Sequence, residues 1–500
     1  MPNMVVENKE ARSGWEWRMR VNDRLSSKVL SSEDGPMISR MLLGLKSVIK
    51  LMFLKPSNFV KKAWDLARSD PRKVFHGLKV GLALTVVSLF YYMRPLYDGV
   101  GGNAMWAVMT VVMVFENTVG ATLSKSLNRI CGTFLAGFIA VGVHWVALQS
   151  GEKSEPFIMG ISVFILASAA TFSRFIPSIK ARFDYGCMIF ILTFSLVSVS
   201  GFRVDKLLAM AHQRLSTIII GTSLCIIISM VICPIWAGQE LYTLITRNMD
   251  NLANSLDGCV SEYFVISSDE DSTGSEKGSD GNLLGYKCVL NSKASEESLA
   301  NFARWEPAHG RFNFRHPWRQ YLKIGAEMRG CAYCIEALNY GCINSEIKAP
   351  EYLKRRVSNI CLEMSSNSSS VIKELASIIK TMRKSSSIDF LMEQMKSAVQ
   401  DLRNELKSLP ILVTPQPLEE AENTRDDKKT EANFTEVASV SPMEIIPLVT
   451  LSFLLIEIAA RIEGIVDAVE ELADLAQFKP VDDEHKEDGT MKIFQRVQTA

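Results

Sequence analysis

The sequence lacks charge in its middle third. Residues 77–236 hold only 17 of the chain's 110 Lys, Arg, Asp and Glu side chains, whereas the other 340 residues hold 93. So low a charge density excludes a wholly soluble protein, and the charged remainder excludes one that lies entirely within a bilayer. The net charge is zero because +7 in residues 1–76 and +5 in residues 77–236 balance −12 in residues 237–500. The acidic C-terminal half argues against a nucleic-acid partner.

Sequence signatures of enzymes and bound metals are also missing. There is no HExxH motif, residues 120–126 lack the second glycine of a phosphate-binding loop, and Cys331 and Cys334 have no second pair at metal-ligand spacing. We therefore predict a protein that is not an enzyme and needs no cofactor. The ten cysteines do not form a secreted disulfide framework, and residues 1–20 contain no apolar core of signal-peptide type.

Six apolar runs are present, each about long enough to cross roughly 30 Å of hydrocarbon at 1.5 Å per residue. They predict an all-α polytopic membrane protein with six transmembrane helices in three hairpins, rather than six buried soluble helices. Basic residues concentrate in the links between runs two and three and between runs four and five, so both termini are predicted to be cytosolic. The runs lie near Gly77–Met93, Asn103–Thr122, Leu127–Leu148, Pro156–Phe172, Tyr185–Gly201 and Leu215–Ile235.

The flanking regions predict a helical cytosolic C-terminal domain and a basic N-terminal region. Met41–Leu54 and Phe59–Ala67 mix apolar residues with lysines, which favours helices on the membrane surface, although packing against the cytosolic domain is the alternative. The predicted organisation is a basic N-terminal region (1–74), a pore domain (75–236), a connecting helix (237–264), a disordered acidic loop (265–300), a helical domain (301–410), a disordered stretch (411–441), an amphipathic helix (442–478) and a tail (479–500).

The last predicted helix is not expected to span the membrane. Its apolar stretch Ile445–Ile456 has 12 residues between two glutamates, which is too short for a span. Beyond it, apolar residues recur at alternating intervals of three and four, the spacing of a helix that buries one seam against another helix. That partner is either in the same subunit or in a second subunit. The residues are Leu455, Ile458, Ile462, Ile465, Val469 and Leu472.

Three basic residues, Lys79, Arg129 and Arg214, fall inside the predicted spans. A charge at the centre of a span costs about 2.5–3.5 kcal/mol and is tolerated mainly where it faces protein or water. Basic residues around a water-filled path are typical of anion-selective pores, so we predict an anion path. The alternative is that each arginine reaches a lipid headgroup or pairs with Glu116, which itself is expected to be a structural counter-charge rather than a proton carrier.

Five stretches make the chain resemble the plant aluminium-activated malate transporter family, over about residues 65–475. The most specific is ARWEPAHGRF, which contains the family signature Trp305-Glu306-Pro307. The others are GGNAMWAVMTVVMVFENTVGATLSKSLNR (101–129), RFDYGCMIFILTFSLVSVSGFR (182–203), HQRLSTIIIGTS (212–223) and CPIWAG (233–238).

The resemblance implies a homodimeric, multi-pass membrane channel that passes malate and inorganic anions without ATP. It matches Arg129 and Arg214 to central pore positions. Lys125, Lys180, Arg182 and Arg203 are weaker candidates for basic residues along the pore. Family members occur in plasma and vacuolar membranes, and we favour the plasma membrane. For the signature we expect a structural role, with Trp305 buried and Glu306 paired to an arginine, rather than direct anion binding.

The resemblance also implies an outward-facing acidic cation site, which is incomplete in this sequence. Asp98 and Asp205 match two of its positions, but Ala209 stands where a third would be acidic. We therefore predict weak or absent activation by aluminium. Two functions remain as alternatives to the channel: a proton-coupled exporter of organic or aromatic acids that uses Glu116 or His212, and a membrane anchor that transports nothing.

Overall fold

The computed structural model describes residues 60–93, 104–151, 153–201, 207–265, 285–313, 315–343, 347, 349–413 and 442–480. Helices and two isolated bridges make up all the regular structure in these ranges, so the all-α prediction is confirmed. The chain divides into two compact units, Met1–Pro71 and Arg72–Ala500. In the first unit, residues 60–69 are helical, close to the predicted Phe59–Ala67 segment. The predicted helix Met41–Leu54 lies outside the described residues.

In the second unit, six of the described helices form an apolar bundle in which helix α6 is packed against α2 and α3, and α5 against α3 and α4. Large apolar side chains on its outside, among them Phe138, Trp145, Phe157 and Phe164, are more than 60% exposed, as expected for side chains that contact lipid. The helices are α1 (Pro71–Tyr92), α2 (Ala104–Val114), α3 (Val119–Gln149), α4 (Glu155–Ser173), α5 (Pro177–Gly201) and α6 (Leu207–Val231).

The boundary between α2 and α3 differs from the predicted one. The second apolar run was expected to continue to Thr122, but α2 ends at Val114 and Thr118 caps α3 by accepting a hydrogen bond from the N–H of Ala121 at 3.3 Å. The predicted link between the second and third spans is therefore the start of α3. Arg129 lies ten residues into α3, about 15 Å along its axis at 1.5 Å per residue.

Among the described residues, seven further helices form a C-terminal helical domain. Its core includes Leu241, Ile245, Met249 and Leu252 on α7, spaced to lie on one face of a helix. Helix α7 packs against α11, and α10 packs against α13. The helices are α7 (Ala237–Val265), α8 (Gly285–Asn291), α9 (Lys293–Ala303), α10 (Trp318–Leu338, continued by a π-helical turn Asn339–Ile343), α11 (Glu351–Thr381), α12 (Ile388–Val413) and α13 (Pro442–Leu475).

Helices α8 and α9 correct the predicted disordered loop at 265–300, because its second half is folded. Tyr286 is fully buried, and its backbone N–H donates to Ser255 Oγ on α7 at 3.0 Å. Glu296 of α9 is also fully buried and accepts from Arg329 of α10 at 2.6 Å. These long-range contacts order a segment whose composition is polar. The first half of the loop and most of the predicted disordered stretch 411–441 lie outside the described residues.

Helix α13 is longer than the apolar stretch from which it was predicted. Five of the described helices are long and apolar enough to cross a membrane: α3, α4, Pro177–Val199 of α5, Arg214–Val231 of α6, and Met443–Leu475 of α13. The first four of these and the shorter apolar helix Met105–Val114 belong to the apolar bundle, so the chain is an all-α polytopic membrane protein. Two expectations differ from this result: α1, the first predicted span, is not among the five helices, whereas α13, predicted to be too short for a span, is. The heptad residues of α13 are at most 1% exposed and belong to the core of the helical domain, so they pack within the same subunit.

Candidate functional site

Arg129 lies on α3 where that helix crosses α5 closely. The residue is 5% exposed, and its Nη1 donates to Tyr185 Oη at 3.0 Å. Its Nε is buried without a hydrogen-bond partner in the described part of the chain. A Cβ placed on Gly132 would lie 2.7 Å from the carbonyl oxygen of Gly186, so glycine permits this close approach. The crossing brings the guanidinium of α3 beside the phenol of α5.

Lys125 lies one turn before Arg129 and is paired. Its Nζ forms an ion pair with Glu116 Oε1 and lies 5.6 Å from the ring centroid of Tyr185. Tyr185 thus contacts two of the predicted anion-path residues. The partner of Glu116 in the structure is Lys125 and not one of the two central arginines. This pair supports the expected role of Glu116 as a counter-charge.

Arg214 lies two turns into α6 and is half-buried. Its Cζ is 4.3 Å from the ring centroid of Trp106 on α2, a cation–π contact that holds the guanidinium without cancelling its charge. The ion pairs among the described residues involve neither Arg129 nor Arg214. In that part of the chain, neither of the two arginines has a carboxylate partner, so both keep their positive charge.

The other predicted path residues have different surroundings. Lys79 is 3% exposed, and its Nζ donates to the carbonyl oxygen of Cys233 at 2.7 Å, which ties α1 to the chain just after α6. Lys180 and Arg182 are exposed in the first turns of α5 rather than in a link before it. The carbonyl of Arg182 accepts from Asn128 Nδ2 at 2.9 Å. Arg203 lies outside the described residues.

Glu306 of the predicted signature joins the helical domain to the membrane bundle. The residue is 8% exposed, and its Oε1 accepts from the backbone N–H groups of Gly120 (3.1 Å) and Ala237 (2.6 Å), while Oε2 accepts from Gly238 (3.0 Å). Gly120 belongs to the first turn of α3, and the other two begin α7. One carboxylate therefore caps two helix N-termini, where a negative charge is favoured.

This arrangement corrects the expected surroundings of the signature. Trp305 is half-buried instead of buried, and Glu306 has His309 Nε2 at 3.9 Å in place of the predicted arginine. The charge is satisfied by backbone donors, which a sequence pattern does not reveal. Burial raises the pKa of Glu306, although the three N–H donors and His309 oppose that shift. The structural role expected for Glu306 remains the reading that these contacts favour.

The predicted outward cation site cannot be traced in the structure, since Asp98 and Asp205 lie outside the described residues. Within the described ranges, there is no group of three or more His, Cys, Asp or Glu side chains that could hold a metal ion. His212, the alternative proton-handling residue, is exposed on α6. Weak activation by aluminium stays a prediction.

Two contact residues, Tyr185 and Trp106, were not singled out from the sequence. Both are aromatic residues in apolar helices, where such residues usually serve packing or lipid contact. Their link to the arginines depends on how α3 crosses α5 and how α2 packs against α6. The only available signal was that a buried guanidinium in a membrane needs a partner.

The sequence matches known proteins over most of its length. The family model described as aluminium activated malate transporter matches residues 64–441. The chain is 53% identical to aluminum-activated malate transporter 10 of Arabidopsis thaliana, over 93% of this chain and 94% of that protein. It is 46% identical to aluminum-activated malate transporter 2 of the same plant, over 85% of this chain and 79% of that protein. It is 40% identical to aluminum-activated malate transporter 1 of Triticum aestivum, over 90% of this chain and 93% of that protein.

Proposed function

Because the chain belongs to the aluminium-activated malate transporter family, we propose that it is a malate-permeable anion channel. It passes malate, and inorganic anions as well, passively down their gradients. Arg129 and Arg214 supply the attraction that admits anions, with Lys125, Lys180, Arg182 and Arg203 contributing at the ends of the path and Lys79 holding α1 in place.

The observation that carries this proposal is the state of the two central arginines. Arg129 is almost fully buried between membrane helices and Arg214 half-buried, and neither belongs to an ion pair with a carboxylate among the described residues. A charge in apolar surroundings is costly, and charged residues that are retained inside a membrane generally mark a functional site. Their observed partners, a phenol and an indole ring, leave the positive charge available to a passing anion.

The chemistry of malate fits such a path. A dicarboxylate must be attracted strongly enough to enter and weakly enough to leave. Guanidinium can donate to both oxygens of a carboxylate. Low-dielectric walls around a positive constriction raise the local anion concentration, by about tenfold to a thousandfold in known cases.

We further propose the orientation and assembly that the sequence favours. The basic starts of α3 and α5, with Lys125, Lys180 and Arg182, face the cytosol, so both termini and the helical domain are cytosolic. The channel is a homodimer in the plasma membrane, with lipid against its apolar outer face. A fluorescent fusion imaged beside plasma-membrane and vacuolar markers tests the location, and the mass of the purified protein in nanodiscs tests the dimer.

The function is tested by recording anion currents from the full-length chain in oocytes. We expect malate currents whose reversal potential follows the malate gradient and does not shift with the proton gradient. Arg129→Gln and Arg214→Gln should each reduce the current at least about tenfold, because each removes a positive charge from the path. Arg129→Lys should retain a larger current than Arg129→Gln.

The matched control is Arg355→Gln, an exposed arginine on α11 whose loss should leave the current unchanged. Surface expression is measured for every variant. A reversal potential that moves with the proton gradient would identify a carrier instead. Unchanged current and selectivity in both glutamine variants would contradict the assigned role of the arginines.

Activation by aluminium is a separate expectation of the same recordings. With Ala209 at a position that would otherwise be acidic, a trivalent cation lacks one carboxylate, so micromolar aluminium at acidic pH should increase the current little or not at all. Ala209→Glu should strengthen the response if the incomplete site is the reason. A large increase in the unmodified protein would refute the prediction.

A further inference from the structure

The helical domain contains a cavity that the proposed anion path does not use. Its volume is about 560 Å³, and its lining residues come from 303–313 and 315–319, between the end of α9 and the start of α10. Phe312 and Trp318 form part of an apolar wall. Three arginines and two histidines but a single acidic side chain, Glu306, contribute to the lining. Burial lowers the pKa of His316 to about 4, so the positive charge of the cavity comes from its arginines. The basic residues are Arg304, His309, Arg315, His316 and Arg319.

The arginines of this cavity repel one another. Arg304 and Arg319 are exposed residues; partial burial lowers the pKa of Arg304, and the nearby positive charges of Arg182 and Arg319 lower it further. Among the ion pairs of the described residues, none involves Arg304 or Arg319. A group of like charges beside an apolar wall has an unfavourable energy that a bound anion removes.

Glu306 does not neutralise this group. Both of its oxygens accept backbone N–H groups of α3 and α7, so its charge is engaged at the helix junction. Next to it, His309 Nε2 is buried without a hydrogen-bond partner in the described part of the chain. The ring of His309 is held in place by stacking on Trp236 at 3.9 Å. That nitrogen lies 3.9 Å from Glu306 Oε2, and because Nδ1 donates to the carbonyl oxygen of Pro307 at 2.9 Å, Nε2 can donate to an anion only when the ring is protonated.

We propose that this cavity binds a phosphoryl group. A phosphoryl group offers three terminal oxygens and up to two negative charges, which suits several guanidinium groups better than a single carboxylate does. The group belongs either to a soluble phosphate compound or to a phospholipid headgroup. The second source is open because Arg182, whose charge acts on Arg304, lies in the first turns of the membrane helix α5.

The test measures binding rather than transport, so its outcome does not depend on the proposed channel. Radiolabelled inorganic phosphate is titrated onto the full-length protein in phosphatidylcholine nanodiscs. We expect saturable binding that weakens at least about tenfold in the double variant Arg304→Gln/Arg319→Gln, since charge-assisted hydrogen bonds are lost. Arg355→Gln, remote from the cavity, should bind as the unmodified protein does. Thermal unfolding checks that the variants remain folded.

Two further measurements identify the ligand. Nanodiscs that also contain phosphatidylinositol 4-phosphate should abolish phosphate binding if the natural ligand is a headgroup, and should leave it intact if the ligand is soluble. Malate is added as a competitor and should displace phosphate poorly. Absence of saturable phosphate binding, equal binding in the double variant, or displacement by malate as strong as by phosphate would each overturn the proposal.

Discussion

Replacing Glu306 by glutamine removes the carboxylate that joins the two parts of the molecule. The carboxylate accepts three backbone N–H groups, and either orientation of a glutamine amide directs its NH2 group at one or more of those donors. Hydrogen bonds to a charged group contribute about 1.5–3 kcal/mol each. The cost of burying the charge, which raises the pKa of Glu306, offsets part of that gain. We therefore expect Glu306→Gln to lower the free energy of unfolding by about 2 kcal/mol.

The assay is thermal unfolding of the purified full-length protein in detergent, where about 2 kcal/mol corresponds to a decrease of about 2 °C in Tm for a chain of this length. Glu297→Gln is the control, because Glu297 is an exposed residue on the neighbouring helix α9 and its loss should stay within about 0.5 kcal/mol. If the Tm of Glu306→Gln matches that of Glu297→Gln, the carboxylate does not hold the junction, and the reasoning from its three donors is refuted.

Three further predictions follow from other parts of the structure. Gly132→Ala should lower the free energy of unfolding by about 1–3 kcal/mol, because the added Cβ would lie 2.7 Å from a backbone oxygen of α5. Gly137→Ala is the control, since Gly137 has open space around it and its replacement should not destabilise the protein. Thermal unfolding compares the two variants. Burial lowers the pKa of His316 to about 4, below the usual 6.5 of an unfolded chain. The unfolded chain therefore binds the proton first, and the unfolding free energy should fall by about 2 kcal/mol from pH 6.5 to 4 relative to His316→Asn, as measured by denaturant titration. Arg329→Met should lower the free energy of unfolding by about 3 kcal/mol in the same titration, because it leaves the fully buried carboxylate of Glu296 without its cation. The control is Arg355→Met at an exposed position, and equal stability of the two variants would contradict the prediction.

The sequence predicted the order of the membrane helices because apolar runs are a local signal. It also singled out Arg129 and Arg214 for the proposed anion path, since a charge inside such a run stands out without any knowledge of the fold. The start of α3 was less accessible, because the polar break Glu116-Asn117-Thr118 is only three residues long inside an apolar run, and the cap at Thr118 marks where the new helix begins. Hydrophobicity locates a span more precisely at its centre than at its ends.

Contacts between distant residues account for what the sequence did not predict. Helices α8 and α9 fold in a polar segment because Tyr286 and Glu296 are buried against α7 and α10. The position of Tyr185 beside Arg129 depends on a crossing of helices 56 residues apart. The three donors of Glu306 come from two segments, 186 and about 68 residues away. Contacts between residues so far apart in the chain produce no periodic pattern in the sequence.

The position of Glu306 relates the helical domain to the proposed anion path. One of its oxygens binds the first turn of α3, the helix that carries Arg129. Both oxygens bind the start of α7, which follows α6, the helix of Arg214, after five residues. In the same place, the N–H of Val119 donates to the carbonyl of Ile235 at 2.9 Å. A displacement of the segment that carries Glu306 would therefore act on the ends of both arginine helices at once, which gives the signature a physical reason to lie outside the membrane.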